Sequence, residues 1–92
     1  MCNNCFKDVD FDEAHRHCTA NKVEIQKSKQ CGCFFCVLMF PSADVVEYIN
    51  EPAGGETAFC PICGIDSVIG DASGIALTEH FLKQMNKEFF GE

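Results

Sequence analysis

The stretch CGCFFC, residues 31–36, decides how this chain is read, together with CPICG at residues 60–64. Each contains a CxxC pair, Cys33-Phe34-Phe35-Cys36 and Cys60-Pro61-Ile62-Cys63, with 23 residues between the pairs. Two residues between thiols let one tight turn present both sulfurs to a single ion, and two facing turns complete a tetrahedron. The spacing between the pairs is close to that of zinc ribbons. Cys33, Cys36, Cys60 and Cys63 are therefore the expected ligands of one structural zinc ion, with iron as the less favoured occupant of the same cage. Four protein ligands leave no position for water or substrate, so the expected metal role is structural. Gly64 follows the second pair, where a knuckle wants a left-handed backbone so that N–H groups reach sulfur. Val37 stands at the equivalent place after the first pair, which predicts a less regular first knuckle.

The rest of the composition fits this reading. A 92-residue chain with eight cysteines forms one small domain that needs a staple. The opening MCNNCFKDVDFDE has neither a basic nor an apolar leader region, and no apolar run is long enough to span a membrane. Thiols in a reducing cytoplasm, holding metal, are the expectation that follows. Fourteen acidic against seven basic residues give a net charge of −7, and a divalent metal on four thiolates adds further negative charge. Such a surface disfavours phosphate backbones. The one basic cluster, Lys22, Lys27 and Lys29, is interrupted by Glu24 and reads as a solvated helix face.

Along the chain, residues 1–9 read as a flexible segment. A helix is expected from Asp10, its cap, to about Lys29, with Glu13 at the capping-box position and Phe11, Ala14, Cys18 and Ile25 on its apolar face. CGCFFCVLMF reads as a turn and a buried strand. Ser42 is a plausible cap for a short helix bearing Val45, Tyr48 and Ile49. TAFCPICGIDSVIG reads as strand, knuckle, strand, and GIALT as a short returning strand. Thr78 caps a last helix whose core face is Phe81, Leu82, Met85 and Phe89, with Leu77 stapling onto Leu82 and Gly91 at its end. The predicted whole is a single α+β domain over residues 1–92. It is a small zinc-ribbon-like unit with two knuckles, a short antiparallel sheet and about three helices. A treble clef fits less well, because GIDSVIGDASG separates Cys63 from the helix.

Other residues carry weaker chemical signals. Cys2 and Cys5 form a third CxxC that could build a second site with Cys18, Cys31 or a histidine of AHRHC. Cys31 competes with Cys33 as a ligand but breaks the two-residue spacing. His17, Asn21, Glu24 and Ser28 form a polar stripe along a helix, where His17 and Glu24 could do acid–base work. Solvated helix faces produce the same stripe. Asp66, Ser67 and Asp71 could bind a cation or a hydroxyl, or could simply bond free backbone groups. His15 reads as a packed histidine and His80 as an exposed one. Dithiol redox chemistry would want a CxxC at a helix start, whereas Cys60-Cys63 leads into a β-like run.

The span from SKQCGCFFC through TAFCPICGIDSVIGDASGIALTEHFLKQMNKEFF resembles a family of small, uncharacterised bacterial cytoplasmic proteins with a zinc-ribbon-like pattern. The likeness covers about residues 10–90 and is densest at CGCFFC and CPICGIDSVIGDASG. It implies ligands at Cys33, Cys36, Cys60 and Cys63, leaves Cys2 and Cys5 outside the shared pattern, and carries no reaction. The expected function is a non-enzymatic, zinc-stabilised module that binds another protein. The alternatives are a small enzyme using His17/Glu24 or Asp66/Asp71, and a nucleic-acid-binding ribbon.

Overall fold

The computed structural model describes residues 11–91. The expected Asp10 cap, the segment 1–9 and the Cys2/Cys5 pair lie outside the described residues. The elements are α1 (Phe11–Arg16), α2 (Lys22–Lys27), β1 (Gln30–Cys33), β2 (Leu38–Pro41), β3 (Tyr48–Asn50), β4 (Glu56–Ala58), β5 (Val68–Gly70) and α3 (Glu79–Phe89), with 3₁₀ turns at Ser42–Asp44 and Asp71–Ser73. One antiparallel sheet has the order β2-β1-β5, and β3 and β4 form a separate antiparallel hairpin. The chain is α+β.

The three-stranded sheet is buried on both faces along β1 and β5. Cys33 pairs with Val68 and Cys31 with Gly70, so these residues share one face by the two-residue period of a strand. They pack with Ile25 of α2, Ala58 of the hairpin, Phe40, Val45 and Cys60. The opposite face carries Ile69, which packs with Ala14, Cys18, Phe34 and the Phe81, Leu82 and Met85 side of α3. Gly70 is required where α2 approaches the sheet: a Cβ there would lie 2.2 Å from the Ser28 hydroxyl oxygen. α3 forms as its sequence dictates, with the Thr78 hydroxyl accepting the Phe81 N–H at 3.0 Å and its apolar stripe turned to the sheet.

Three expectations are corrected. The first helix is not continuous over 10–29 but breaks into α1 and α2. The break is made at Ala20, which is left-handed at φ +50°, and at the buried Asn21. A polar Asn21 in the core needs partners, and the break supplies them. Its amide nitrogen donates to the carbonyls of His17 and Val68, both at 2.8 Å, and its oxygen accepts the Ala58 N–H at 3.0 Å. The freed Ala20 N–H goes to the Thr57 hydroxyl at 2.7 Å. One side chain thus ties the helices to both sheets. Second, the segment 42–49 is not a helix. The Ser42 hydroxyl donates to the Ser28 carbonyl at 2.6 Å rather than capping, and the β-branched run that follows leads into β3. The GIALT segment also forms no strand; residues 75–78 run to the α3 cap unpaired.

Asn21→Ala leaves the Ala58 N–H and the Val68 carbonyl buried without their partner. Each such orphan costs about 1–3 kcal/mol, so urea unfolding of this variant should show a loss of about 2–4 kcal/mol with an unchanged slope.

Candidate metal centre

Two turns of the same build face each other. The first links β1 to β2 and carries Cys33 and Cys36; the second lies between β4 and β5 and carries Cys60 and Cys63. In the first, the Val37 N–H returns to the Cys33 carbonyl at 2.9 Å; in the second, the Gly64 N–H returns to the Cys60 carbonyl at 3.0 Å. The Phe35 N–H points at the Cys33 sulfur (3.4 Å), and the N–H groups of Ile62 and Cys63 at the Cys60 sulfur (3.3 and 3.4 Å). Gly64 is left-handed at φ +79° as the sequence predicts, and Val37 takes the same region at φ +58°. The irregularity expected of the first turn is therefore not seen. The turn geometry is kept, and the β-branched Val37 carries strain of about 1–2 kcal/mol instead.

All four sulfurs lie within 4.8 Å of one another. Cys33 and Cys63 are 3.6 Å apart and Cys36 and Cys60 are 3.8 Å apart, each pair joining the two turns. Tetrahedral bonds of about 2.3 Å from sulfur to a metal give an edge of about 3.8 Å. The donor set, its number and its spacing fit a metal ion. Cys33 and Cys60 are buried while Cys36 and Cys63 are half-buried, so the cluster sits at the margin of the core with one side open to entry.

The surroundings orient the sulfurs. The buried Ser67 hydroxyl lies 3.1 Å from the Cys33 sulfur, and the Ser67 carbonyl accepts the Phe34 N–H at 3.1 Å. Burial raises the Cys36 thiol above its ordinary range, helped by the adjoining sulfurs of Cys33 and Cys60. Burial and the same sort of crowding push Cys63 up to about 11. Burial opposes ionisation of Cys60 too, but the N–H groups of Cys63 and Ile62 aimed at its sulfur lower its pKa overall. Cys36 and Cys63 thus resist shedding their protons, and a divalent cation among the sulfurs would reverse that preference.

The remaining candidates are placed as follows. Cys31 is fully buried in β1 outside the cluster, and Cys18 is buried on the α3 side of the sheet. His17 and Glu24 do meet, with Nδ1 2.9 and 3.1 Å from the two carboxylate oxygens, across the break rather than along one helix. Asn21 and Ser28 of the same stripe are buried rather than solvated. Ser28 donates to the Glu24 carbonyl at 2.8 Å and accepts the Ala72 N–H at 2.9 Å. The Asp71 carboxylate accepts the N–H groups of Lys29 (3.0 Å) and Gln30 (3.3 Å), which fixes the start of β1. His15 stacks on Phe89 at 4.4 Å between ring centres, and His80 is exposed. Lys22 is paired with Glu56 at 3.3 Å, leaving Lys27 and Lys29 exposed. No helix is long and apolar enough to cross a membrane among the described residues. Comparison of the chain with family models, curated proteins and solved structures finds no match.

Two predictions follow from this geometry. The space around Gly64 is open, with nothing within 4 Å of an added Cβ. Gly64→Ala should therefore cost about 1–2 kcal/mol through backbone strain alone, measured by chemical unfolding. Cys18 is pushed by burial from 9.0 to about 11, so the folded protein keeps this proton where the unfolded chain loses it. Its contribution to stability is complete below pH 9 and is lost as pH rises through 11. Melting curves across that window should fall less steeply for Cys18→Ala than for the wild type.

Proposed function

We propose that Cys33, Cys36, Cys60 and Cys63 bind one zinc ion, that the surrounding fold is zinc-ribbon-like, and that the protein is a non-enzymatic cytoplasmic module that binds another protein. The observation that carries the reading is the meeting of four sulfurs from two matched turns within 4.8 Å of one another. With all four ligands supplied by the chain, the ion closes the join between the β1–β2 turn and the segment leading from the hairpin to β5. It supplies stability that a core of this size lacks. Zinc is proposed over iron because the role needs no electron transfer, and the resemblance of the two motifs to small bacterial proteins selects the same four ligands.

The enzymatic alternative is less well supported. Of its residues, His17 and Glu24 are engaged with each other, Asp66 is exposed, and Asp71 is taken up by the backbone N–H groups that fix the start of β1. A nucleic-acid role is disfavoured by the net charge of −7 and by the pairing of Lys22 with Glu56.

Native mass spectrometry and elemental analysis of protein purified under reducing conditions, without added metal, test the assignment. The expected result is one zinc per chain, colourless protein, and a melting temperature that drops by about 10 °C or more with a strong chelator. Cys33→Ser should lose the ion and Cys31→Ser should keep it. Retention by Cys33→Ser with loss in Cys31→Ser would exchange the ligands. A visible charge-transfer band with iron in the analysis would replace zinc, and wild-type protein without metal would overturn the site.

A further inference from the structure

The hairpin has one closed edge and one open edge. The Phe59 N–H bonds the Glu47 carbonyl and the Glu51 N–H bonds the Gly55 carbonyl, both at 2.9 Å. With Tyr48 opposite Ala58 and Asn50 opposite Glu56, the antiparallel alternation turns the N–H and C=O groups of Tyr48, Asn50, Ala58 and Glu56 away from the ladder. On β4 that outer edge is covered: Ala58 donates to Asn21, and the Thr57 side chain is held by Ala20. On β3 no partner meets the outward groups of Tyr48 and Asn50 among the described residues.

At the end of the hairpin where the chain enters β3 and leaves β4 lies a groove of about 540 Å³, lined by Asp44, Val46, Glu47, Phe59 and Ile62 and bounded by the second CxxC turn. Val46 is 75% exposed, Ile62 55% and Ile49 47%. The two charged residues of the lining are both acidic, and Lys22, whose ammonium lies 5.1 Å from the Tyr48 ring centre, is neutralised by Glu56. An edge that meets no partner among the described residues thus leads directly from a groove with bare aliphatic side chains and carboxylates. Unprotected edges of this kind recruit a strand from another chain.

We infer that β3 and the adjoining groove form a docking strip for an extended, basic segment of a partner protein. The segment adds antiparallel or parallel to β3 through the free groups of Tyr48 and Asn50. Its alternate side chains go to opposite faces. One set lies on Val46 and Ile62, and the other sets lysine or arginine against Asp44 and Glu47. A second copy of this chain is a poor occupant, because its own β3 would bring Glu47 and Glu51 against like charges. The inference rests on the protein-binding reading above and gives it a place and a chemistry.

The test uses the full, metal-loaded chain and a fluorescein-labelled octapeptide of alternating lysine and valine, with alternating glutamate and valine as its counterpart. Anisotropy should show saturable binding of the basic peptide, at least tenfold tighter than the acidic one and weakened by salt. The paired change Asp44→Lys and Glu47→Lys should weaken it at least tenfold. Asn50→Pro removes an outward N–H outside the hairpin ladder and should do the same, with amide spectra verifying the fold of both variants. In the wild type, peptide should slow hydrogen exchange at Tyr48 and Asn50. Equal affinity for the two peptides, no saturable binding, or protection appearing at β2 instead would overturn the strip. Crosslinking of the full chain in lysate of its source cells separates the two readings. A partner joined outside β3 sinks the strip alone, and the absence of any crosslinked partner sinks the protein-binding reading with it.

Discussion

Four thiols packed within 4.8 Å of each other set the terms for the whole molecule. Burial and the adjoining sulfurs hold the protons of Cys36 and Cys63, and a cation brought among the four would favour their ionised form. The backbone is already shaped for that state. N–H groups from Phe35, Ile62 and Cys63 point at Cys33 and Cys60, and the Ser67 hydroxyl meets Cys33 from the neighbouring strand. The cluster also joins parts of the chain that share the core around Ala58 and Val68. One turn belongs to the three-stranded sheet and the other follows the hairpin on the way to β5, so the two sheets are joined at the sulfurs.

Val37 shows how far the sequence serves this geometry. A β-branched residue at φ +58° is unfavourable, and glycine stands at the matching place in the other turn. The Val37 side chain is kept because it packs against the α3 side of the sheet, where it adds apolar burial that glycine cannot. Apolar packing and backbone strain oppose each other at this position, and the return bond from Val37 to Cys33 is made regardless. The turn is thus dictated by the cluster rather than by local preference.

Much of this was legible in the residues. The CxxC pairs select the four sulfurs, and Thr78 with the Phe81, Leu82 and Met85 stripe gives α3 its start and its buried face. These signals are local and periodic. What the sequence hid depends on long-range bonds. His17, Asn21, Glu24 and Ser28 fall at helical spacing, so a continuous amphipathic helix was the simplest reading. Asn21 instead reaches Val68 and Ala58, 47 and 37 residues away, and no helical periodicity can announce those partners. The strand at Tyr48–Asn50 was read as a helix from its i, i+3, i+4 apolar positions. The adjacent β-branched pair Val45-Val46 favours extended backbone in this segment.

The hairpin and the cluster are best understood as one device. β4 is locked to the helix break through Asn21 and Thr57, and the chain then runs directly into the second CxxC turn. A rigid inner strand leaves the outer strand β3 positioned, with no second strand paired to it among the described residues. Its register is fixed on one side by the Glu47–Phe59 and Glu51–Gly55 bonds, which are also the bonds that turn Tyr48 and Asn50 outward. Cys60 and Cys63 line the wall of the adjoining groove, so a tetrathiolate site with a divalent cation, still net negative, adds to the field of Asp44 and Glu47. Order at the sulfurs therefore bears on the shape and the charge of the surface beside them.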